Sequence, residues 1–397
     1  MKPIGKTPGG RIPVLLMVRE LDQGGVERDV SKIATHLDPE RFAPHVGSYN
    51  AHGMRFEELR AANVPLLHLP MEAVLSAAAA RAAVRLAHYL REHAIQVVHS
   101  YDVSGVLGVP VARWVGVPVV ISSQLSYRNI LDKPTQYLLR MTDPIAHAVL
   151  VNCEAMREHL IYDEGVSPNR IELCYNGVDT SRFYPAELPT PGPLAGSSLV
   201  IGTVCALRVE KGLLLLQEAF AKVRALHSGM KLVMVGSGVE LQRLESNADR
   251  LGIAADSVFI PATPEVPFWL RAIDIFVLPS YSEAFSNSLL EAMACGCAVV
   301  GSRVGGTPEL IGNDERGLLF TPGDAADLAQ KIDRLIESQD LRRKLAGEAA
   351  RFAKTNLSIE IAARRTAAIY ERLLARNSRA GHNITAFFSR RLRQHRT

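Results

Sequence analysis

Two glutamates eight positions apart stand out first. Glu283 and Glu291 lie in Leu278-Pro-Ser-Tyr-Ser-Glu-Ala-Phe-Ser-Asn-Ser-Leu-Leu-Glu-Ala-Met-Ala-Cys-Gly296. An apolar run ends at Pro279, a polar loop follows, and a helix is expected to start near Asn287, a good N-cap. The backbone N–H groups of such a loop, at Phe285, Ser286 and Asn287, together with the helix N-terminus, suit a phosphate. Carboxylates on either side of it accept hydrogen bonds from sugar hydroxyls. Glu291 sits among leucine, alanine and methionine, where a bare carboxylate is costly without partners.

A second group, Arg208 and Lys211 before Gly212, follows the apolar run Leu199–Val204. Two cations just past a strand end can neutralise a diphosphate, arginine as a planar fork and lysine as a point charge. A third, Gly24-Gly25-Val-Glu27-Arg28, follows the run Val14–Val18, and paired glycines let backbone approach a ligand closely. Neither a G-x-G-x-x-G dinucleotide fingerprint nor a G-x-x-x-x-G-K-[ST] phosphate loop occurs here.

These segments need elements to hold them. Short aliphatic runs alternate with helical periodicities, which predicts parallel sheets covered by helices. Strands are expected at Val14–Val18, His45–Ser48, Leu66–Leu69, Val97–Ser100, Val119–Ser122, Ala148–Asn152 and Arg170–Cys174. After the proline-rich stretch 185–198 come Leu199–Val204, Leu232–Val235, Val258–Ile260, Ile275–Leu278 and Ala298–Ser302. Helices are expected between them, and a last one over Ile359–Arg376. The expected organisation is an N-terminal domain over 1–184, a linker over 185–198, a C-terminal domain over 199–376 whose last helix packs back on the first domain, and a basic tail over 377–397.

Composition is consistent with this. The chain has 397 residues, 47% hydrophobic and 22% charged, enough for two α/β cores and too apolar for disorder. The net charge is +4, yet seven arginines and no acid lie from Arg372 onward, leaving −3 for the rest. The body is mildly acidic, so no nucleic-acid partner is expected. Five cysteines with only Cys295 and Cys297 close together read as reduced, buried thiols and not as a zinc site. No apolar run reaches the roughly 18 residues of a membrane span, and the expected location is cytoplasmic.

Together the three segments resemble the retaining glycosyltransferases of the GT-B fold, a family that includes sucrose synthase and bacterial transferases using UDP- or GDP-sugars. The resemblance rests on Glu283 with Glu291, on Arg208 with Lys211 and Gly212, on Val299-Val-Gly-Ser-Arg-Val-Gly-Gly-Thr-Pro-Glu309, and on Asn176-Gly-Val-Asp179. It implies an α/β, GT-B architecture of two doubly wound Rossmann-like domains facing a central cleft. It implies that Glu291 holds the donor ribose, Glu283 the transferred sugar, Arg208 and Lys211 the diphosphate, and Gly25 with Gly24 the phosphate–sugar junction. No cofactor or metal is expected. Many relatives carry a histidine where this chain reads Gln124 to Arg128, so Gln124, Arg128 or His99 is expected either to contact donor or acceptor or to play a structural part.

The resemblance further implies a glycan or lipid-linked acceptor. The stripe Arg81, Arg85, His88 and Arg91 on the expected helix Ala78–His93, with the arginine-rich tail, would suit weak association with an anionic membrane surface, on the inner face of the cell membrane. Beyond Arg379 the chain reads as a tail without fixed structure. A nucleotide-sugar epimerase and a non-catalytic nucleotide-sugar-binding or scaffold protein are the competing readings.

Overall fold

The computed structural model describes residues 10–22, 24–71, 76–187 and 189–394, with backbone alone at 130 and from 379 onward. The described chain divides into two compact units, one of residues up to 152, 156–175 and 359 onward, the other of 153–155 and 176–358.

In the first unit the order is β1 (Ile12–Glu20), α1 (Gly25–His36), β2 (Phe42–Asn50), α2 (Met54–Ala61), β3 (Leu66–His68), α3 (Ala77–Glu92), β4 (Val97–Tyr101), α4 (Gly105–Val115), β5 (Val119–Gln124), α5 (Lys133–Thr142), β6 (Ala148–Val151), α6 (Glu154–Tyr162) and β7 (Ile171–Leu173). The strands form one parallel sheet, β3-β2-β1-β4-β5-β6-β7. Apolar side chains of β1 alternate between two cores. Val14, Leu16 and Val18 pack with α1, and Leu15 and Met17 pack with α3 and α4. A strand buried on both faces must be hydrophobic throughout, and Val14–Val18 is.

The second unit continues with β8 (Leu199–Val204), α7 (Leu213–Arg224), β9 (Met230–Val235), α8 (Leu241–Arg250), β10 (Ser257–Ile260), α9 (Val266–Arg271), β11 (Ile275–Leu278), α10 (Asn287–Cys295), β12 (Ala298–Ser302), α11 (Thr307–Ile311), β13 (Leu318–Phe320), α12 (Ala325–Glu337) and α13 (Gln339–Asn356). Its parallel sheet runs β10-β9-β8-β11-β12-β13. The three-residue β13 escapes periodicity because it is too short to show any. The stretch 185–198 is not a free tether: Gly192–Leu194 forms a 3-10 turn, Leu194 is fully buried, and Ser198 donates its N–H to the carbonyl of Gly229 at 2.7 Å.

The last helix, α14 (Ile359–Gln394), belongs to the first unit. Its backbone stays helical to Gln394, past the Arg379 where a tail without fixed structure was expected. Helix-favouring alanine, arginine and leucine, with no proline before the end, are the local reason. Tyr370 anchors α14. It is fully buried, meets Phe42 edge to face at 6.2 Å, and its hydroxyl lies 2.7 Å from His99 Nδ1.

The two tryptophans, Trp114 and Trp269, fall one in each unit and report them separately. Tyr370→Ala should lower the stability of the first unit by about 3–5 kcal/mol, and Tyr370→Phe by about 1 kcal/mol. Urea unfolding of a Trp269→Phe background follows Trp114. An equal loss when the Trp114→Phe background is followed through Trp269 would show that the anchor is not local to the first unit.

Candidate active site

Each sheet changes direction once, and α/β sheets bind ligands beyond the carboxyl ends of the strands at such a point. In the second unit this lies between β8 and β11. The loop after β8 carries Arg208, a 3-10 turn over Val209–Lys211, and Gly212 at φ +65°. The loop after β11 carries Glu283 and leads into α10.

These loops are held by backbone contact. A Cβ on Gly212 would stand 2.1 Å from the carbonyl oxygen of Pro279, so the residue must be glycine on spatial as well as dihedral grounds. Tyr281 donates its N–H to Glu210 O at 2.8 Å. From β12, Ser302 Oγ donates to Ser280 O at 2.6 Å and Gly306 N–H to Ala284 O at 2.6 Å. A Cβ on Gly305, at φ +49°, would lie 1.6 Å from Glu283 O. The glycine pair 305–306 therefore fixes the loop that presents Glu283.

Held in this way, Lys211 Nζ donates to Glu283 Oε2 at 2.7 Å, and Ser280 Oγ donates to the same oxygen at 3.2 Å. Both side chains of the ion pair are largely buried, 22% and 13% exposed. Burial works to lower the pKa of Lys211, but the Glu283 carboxylate outweighs it and the ammonium is held above its usual value. Arg208 is mostly exposed, 3.9 Å from Glu210. Sequence placed Arg208 and Lys211 side by side, but it gave no sign that Lys211 pairs with Glu283.

The N-cap of α10 is Ser286 and not the expected Asn287. Ser286 Oγ accepts the N–H of Leu289 at 3.3 Å, while Asn287 is the first helical residue and its Oδ1 accepts from Asn176 Nδ2 at 3.2 Å. Serine and asparagine are near-equal caps, so neighbouring candidates are separated only by the loop's path. Phe285 and Ser286 are buried, and Glu291, in the second turn of α10, is 1% exposed.

In the first unit the direction changes between β1 and β4. Gly24 is the N-cap of α1 and Gly25 its first residue. Glu27 folds back over Gly24, where a Cβ would lie 1.6 Å from Glu27 Oε2. Burial first, then the charges of Glu20, Asp102 and Asp29, push the Glu27 carboxyl up to about 7 despite a backbone hydrogen bond that lowers it. Asp102, after β4, sits at φ +45° and accepts Leu125 N–H at 2.9 Å and Ser126 Oγ at 3.1 Å. Burial raises it to about 6. Sequence inspection assigned neither acid a role. The only signal was a glutamate three residues after a cap glycine.

The other three expected residues, His99, Gln124 and Arg128, are buried in the first unit. His99 is 1% exposed, flanked by Tyr370 Oη and Ser123 Oγ and stacked on Tyr101 at 4.2 Å. Burial holds it neutral, near pKa 3. Arg128 is 6% exposed and pairs with Asp143 and, at 2.7 Å, with Glu164. Gln124 Nε2 donates to Glu164 at 3.3 Å.

Comparison with known proteins agrees with this fold. Residues 187–352 match the family Glycosyl transferases group 1, and residues 23–182 match Glycosyltransferase Family 4. The chain is 31% identical to the D-inositol 3-phosphate glycosyltransferase of Acidothermus cellulolyticus, over 88% of this chain and 83% of that protein. It is 28% identical to the N-acetylgalactosamine-N,N'-diacetylbacillosaminyl-diphospho-undecaprenol 4-alpha-N-acetylgalactosaminyltransferase of Campylobacter jejuni, over 62% of this chain and 65% of that one. In fold it resembles Anabaena HepE, solved in complex with UDP-glucose, with a TM-score of 0.79 at 20% identity, covering 91% of this chain and 100% of that chain. The two doubly wound parallel sheets have the GT-B fold, and the family match makes the protein a glycosyltransferase. The chain belongs to the group 1 glycosyltransferases.

The raised pKa of Glu27 has a consequence for stability. The folded chain keeps this proton to about pH 7, whereas a free glutamate loses it near 4.5. The folded state thus binds more protons in that window, and this group's contribution to stability is lost as pH rises through it. Glu27→Gln should leave stability unchanged at pH 4.5 and raise it by on the order of 1–3 kcal/mol at pH 8. Urea titrations at the two pH values read this out, and equal stability of both proteins at pH 8 would contradict it.

Proposed function

We propose that this glycosyltransferase moves a sugar from a UDP- or GDP-sugar to a glycan or lipid-linked acceptor in polysaccharide or glycolipid assembly, with retention at the anomeric carbon and without a metal. The observation that carries the reading is the Lys211–Glu283 pair, presented on loops from either side of the switch point beside the N-terminus of α10. The anomeric carbon loses its bond to the β-phosphate oxygen and gains one to the acceptor hydroxyl oxygen. The electron pair leaves with the diphosphate, which takes the hydroxyl proton on the same face of the sugar. Lys211 and the exposed Arg208 supply positive charge to the leaving oxygens, the work a divalent ion does elsewhere. Glu283 orients Lys211 and accepts from the sugar's hydroxyls, Glu291 accepts from the ribose, and backbone at Gly24, Gly25 and Phe285 to Asn287 meets the donor. The relatives' printed names, one for D-inositol 3-phosphate and one for a diphospho-undecaprenol substrate, support a phosphorylated acceptor, and action at the inner face of the cell membrane is part of the same proposal.

Transfer from UDP- and GDP-sugars in EDTA, with the product anomer read by NMR, tests this reading. An epimerised free sugar nucleotide, an inverted linkage or a metal requirement would each refute part of it. Lys211→Met should lower kcat by at least tenfold with KM changed less, because charge on the diphosphate grows as the bond breaks. Glu291→Ala should weaken nucleotide binding by about 1.5–3 kcal/mol in calorimetry.

A further inference from the structure

Glu309 lies in α11, three residues after Gly306, and its N–H donates to the carbonyl of Gly306 at 3.1 Å. Its carboxylate serves a distant piece of chain. Oε2 accepts the N–H of Glu154 at 2.9 Å, and Oε1 accepts that of Ala155 at 3.0 Å. These are the first two residues of α6, whose opening N–H groups have no partner within the helix. A carboxylate suits such donors, through charge-assisted hydrogen bonds and through the helix dipole. Residues 153–155 belong to the second unit, as Glu309 does.

The segment held in this way reaches the Glu283 loop. Cys153, fully buried, donates its Sγ–H to Ala284 O at 3.3 Å, the same carbonyl that accepts Gly306 N–H at 2.6 Å. A Cβ on Gly306 would stand 2.6 Å from Ala284 O and 2.9 Å from Cys153 Cβ, so these three pieces of chain meet without slack. The residue next to Glu283 is therefore gripped from two sides, and Glu309 joins them.

We propose that Glu309 is a positioning residue for the Lys211–Glu283 pair, holding residues 153–155 against Ala284 so that the neighbouring carboxylate meets the lysine. This rests on the reading of that pair given above and extends it to a residue outside both loops. Loss of the grip has a directional consequence. Burial works to lower the pKa of Lys211 and Glu283 overrides it, with smaller help from Cys205 and Glu210. With Glu283 displaced, burial prevails and more of the lysine is neutral, the form that acylating reagents attack. A fall of one pKa unit multiplies that form about tenfold.

The test uses the full chain without substrate. Brief acetylation by acetic anhydride at pH 9, read by peptide mass spectrometry, reports Lys211 relative to the exposed Lys133. Lys231 is the control: it lies in the same unit, is 25% exposed against 22% for Lys211, and pairs with Asp256 at 3.1 Å. Glu309→Ala should raise the relative rate at Lys211 about tenfold and leave Lys231 unchanged. Glu309→Gln is isosteric and keeps a carbonyl acceptor for one of the two N–H groups. It should give about a threefold rise, and it decides the matter where Glu309→Ala does not fold. An unchanged rate at Lys211 would overturn the proposal. An equal rise at Lys231 would make Glu309 a support of the whole unit and overturn it as well. With a sugar nucleotide and acceptor, Glu309→Ala should lower kcat about tenfold with KM changed less. Unaltered transfer beside a newly reactive Lys211 would refute the chemistry given to that lysine and uphold the positioning. Absence of transfer in the parent would refute the transferase reading, while the acetylation result still decides the role of Glu309.

Discussion

The second unit depends on backbone touching backbone. Between Gly212 and Pro279, and again between Gly305 and Glu283, there is no space for a Cβ. Contacts this close bring the loops after β8, β11 and β12 into one layer. Only in that layer do Lys211 and Glu283, 72 positions apart in sequence, come within 2.7 Å. A glycine costs more conformational entropy on folding than other residues, and the layer it permits holds a buried ion pair with a third partner, Ser280. A buried pair is weak evidence of stabilisation, because desolvation opposes it. Its sense lies in positioning: the Glu283 carboxylate keeps Lys211 charged and in place.

The first unit handles burial of polar groups differently. Arg128 is matched to Asp143 and Glu164, with Ser122 on Asp143 at 2.7 Å, so a charge 6% exposed is surrounded by partners. His99 is instead kept neutral between hydroxyls. Glu27 is pushed up to about 7 by burial and by the charges of Glu20, Asp102 and Asp29, and Asp102 to about 6 by burial. Matched charge and suppressed charge thus coexist in one unit, and only the second kind makes the protein's behaviour change near pH 7.

The cysteines follow the same logic. Cys205 stands beside the Lys211 loop, yet burial outweighs the nearby ammonium and raises its thiol to about 11. Cys295, at the end of α10, rises to about 12. Neither is ionised under ordinary conditions, so these thiols fill space as small apolar groups.

Alternation of short apolar runs with helical periodicity located twelve of the strands now seen, because a strand buried on both faces leaves an uninterrupted mark on the sequence. The loops rich in glycine, with their glutamates and cations, were legible for the same local reason: turn chemistry and charge are written within a few residues. Strand order is not local. Sequence could not say that β8 lies beside β11, and so could not pair Lys211 with Glu283. Nor could it supply the partners of His99, Gln124 and Arg128, since Tyr370 and Glu164 arrive from distant segments. Residue types and their near spacing determined the kind of chemistry and the α/β architecture. Which groups face one another, and which are buried deeply enough to lose or keep a proton, was decided only by tertiary structure, because partners and desolvation exist only once distant segments pack together.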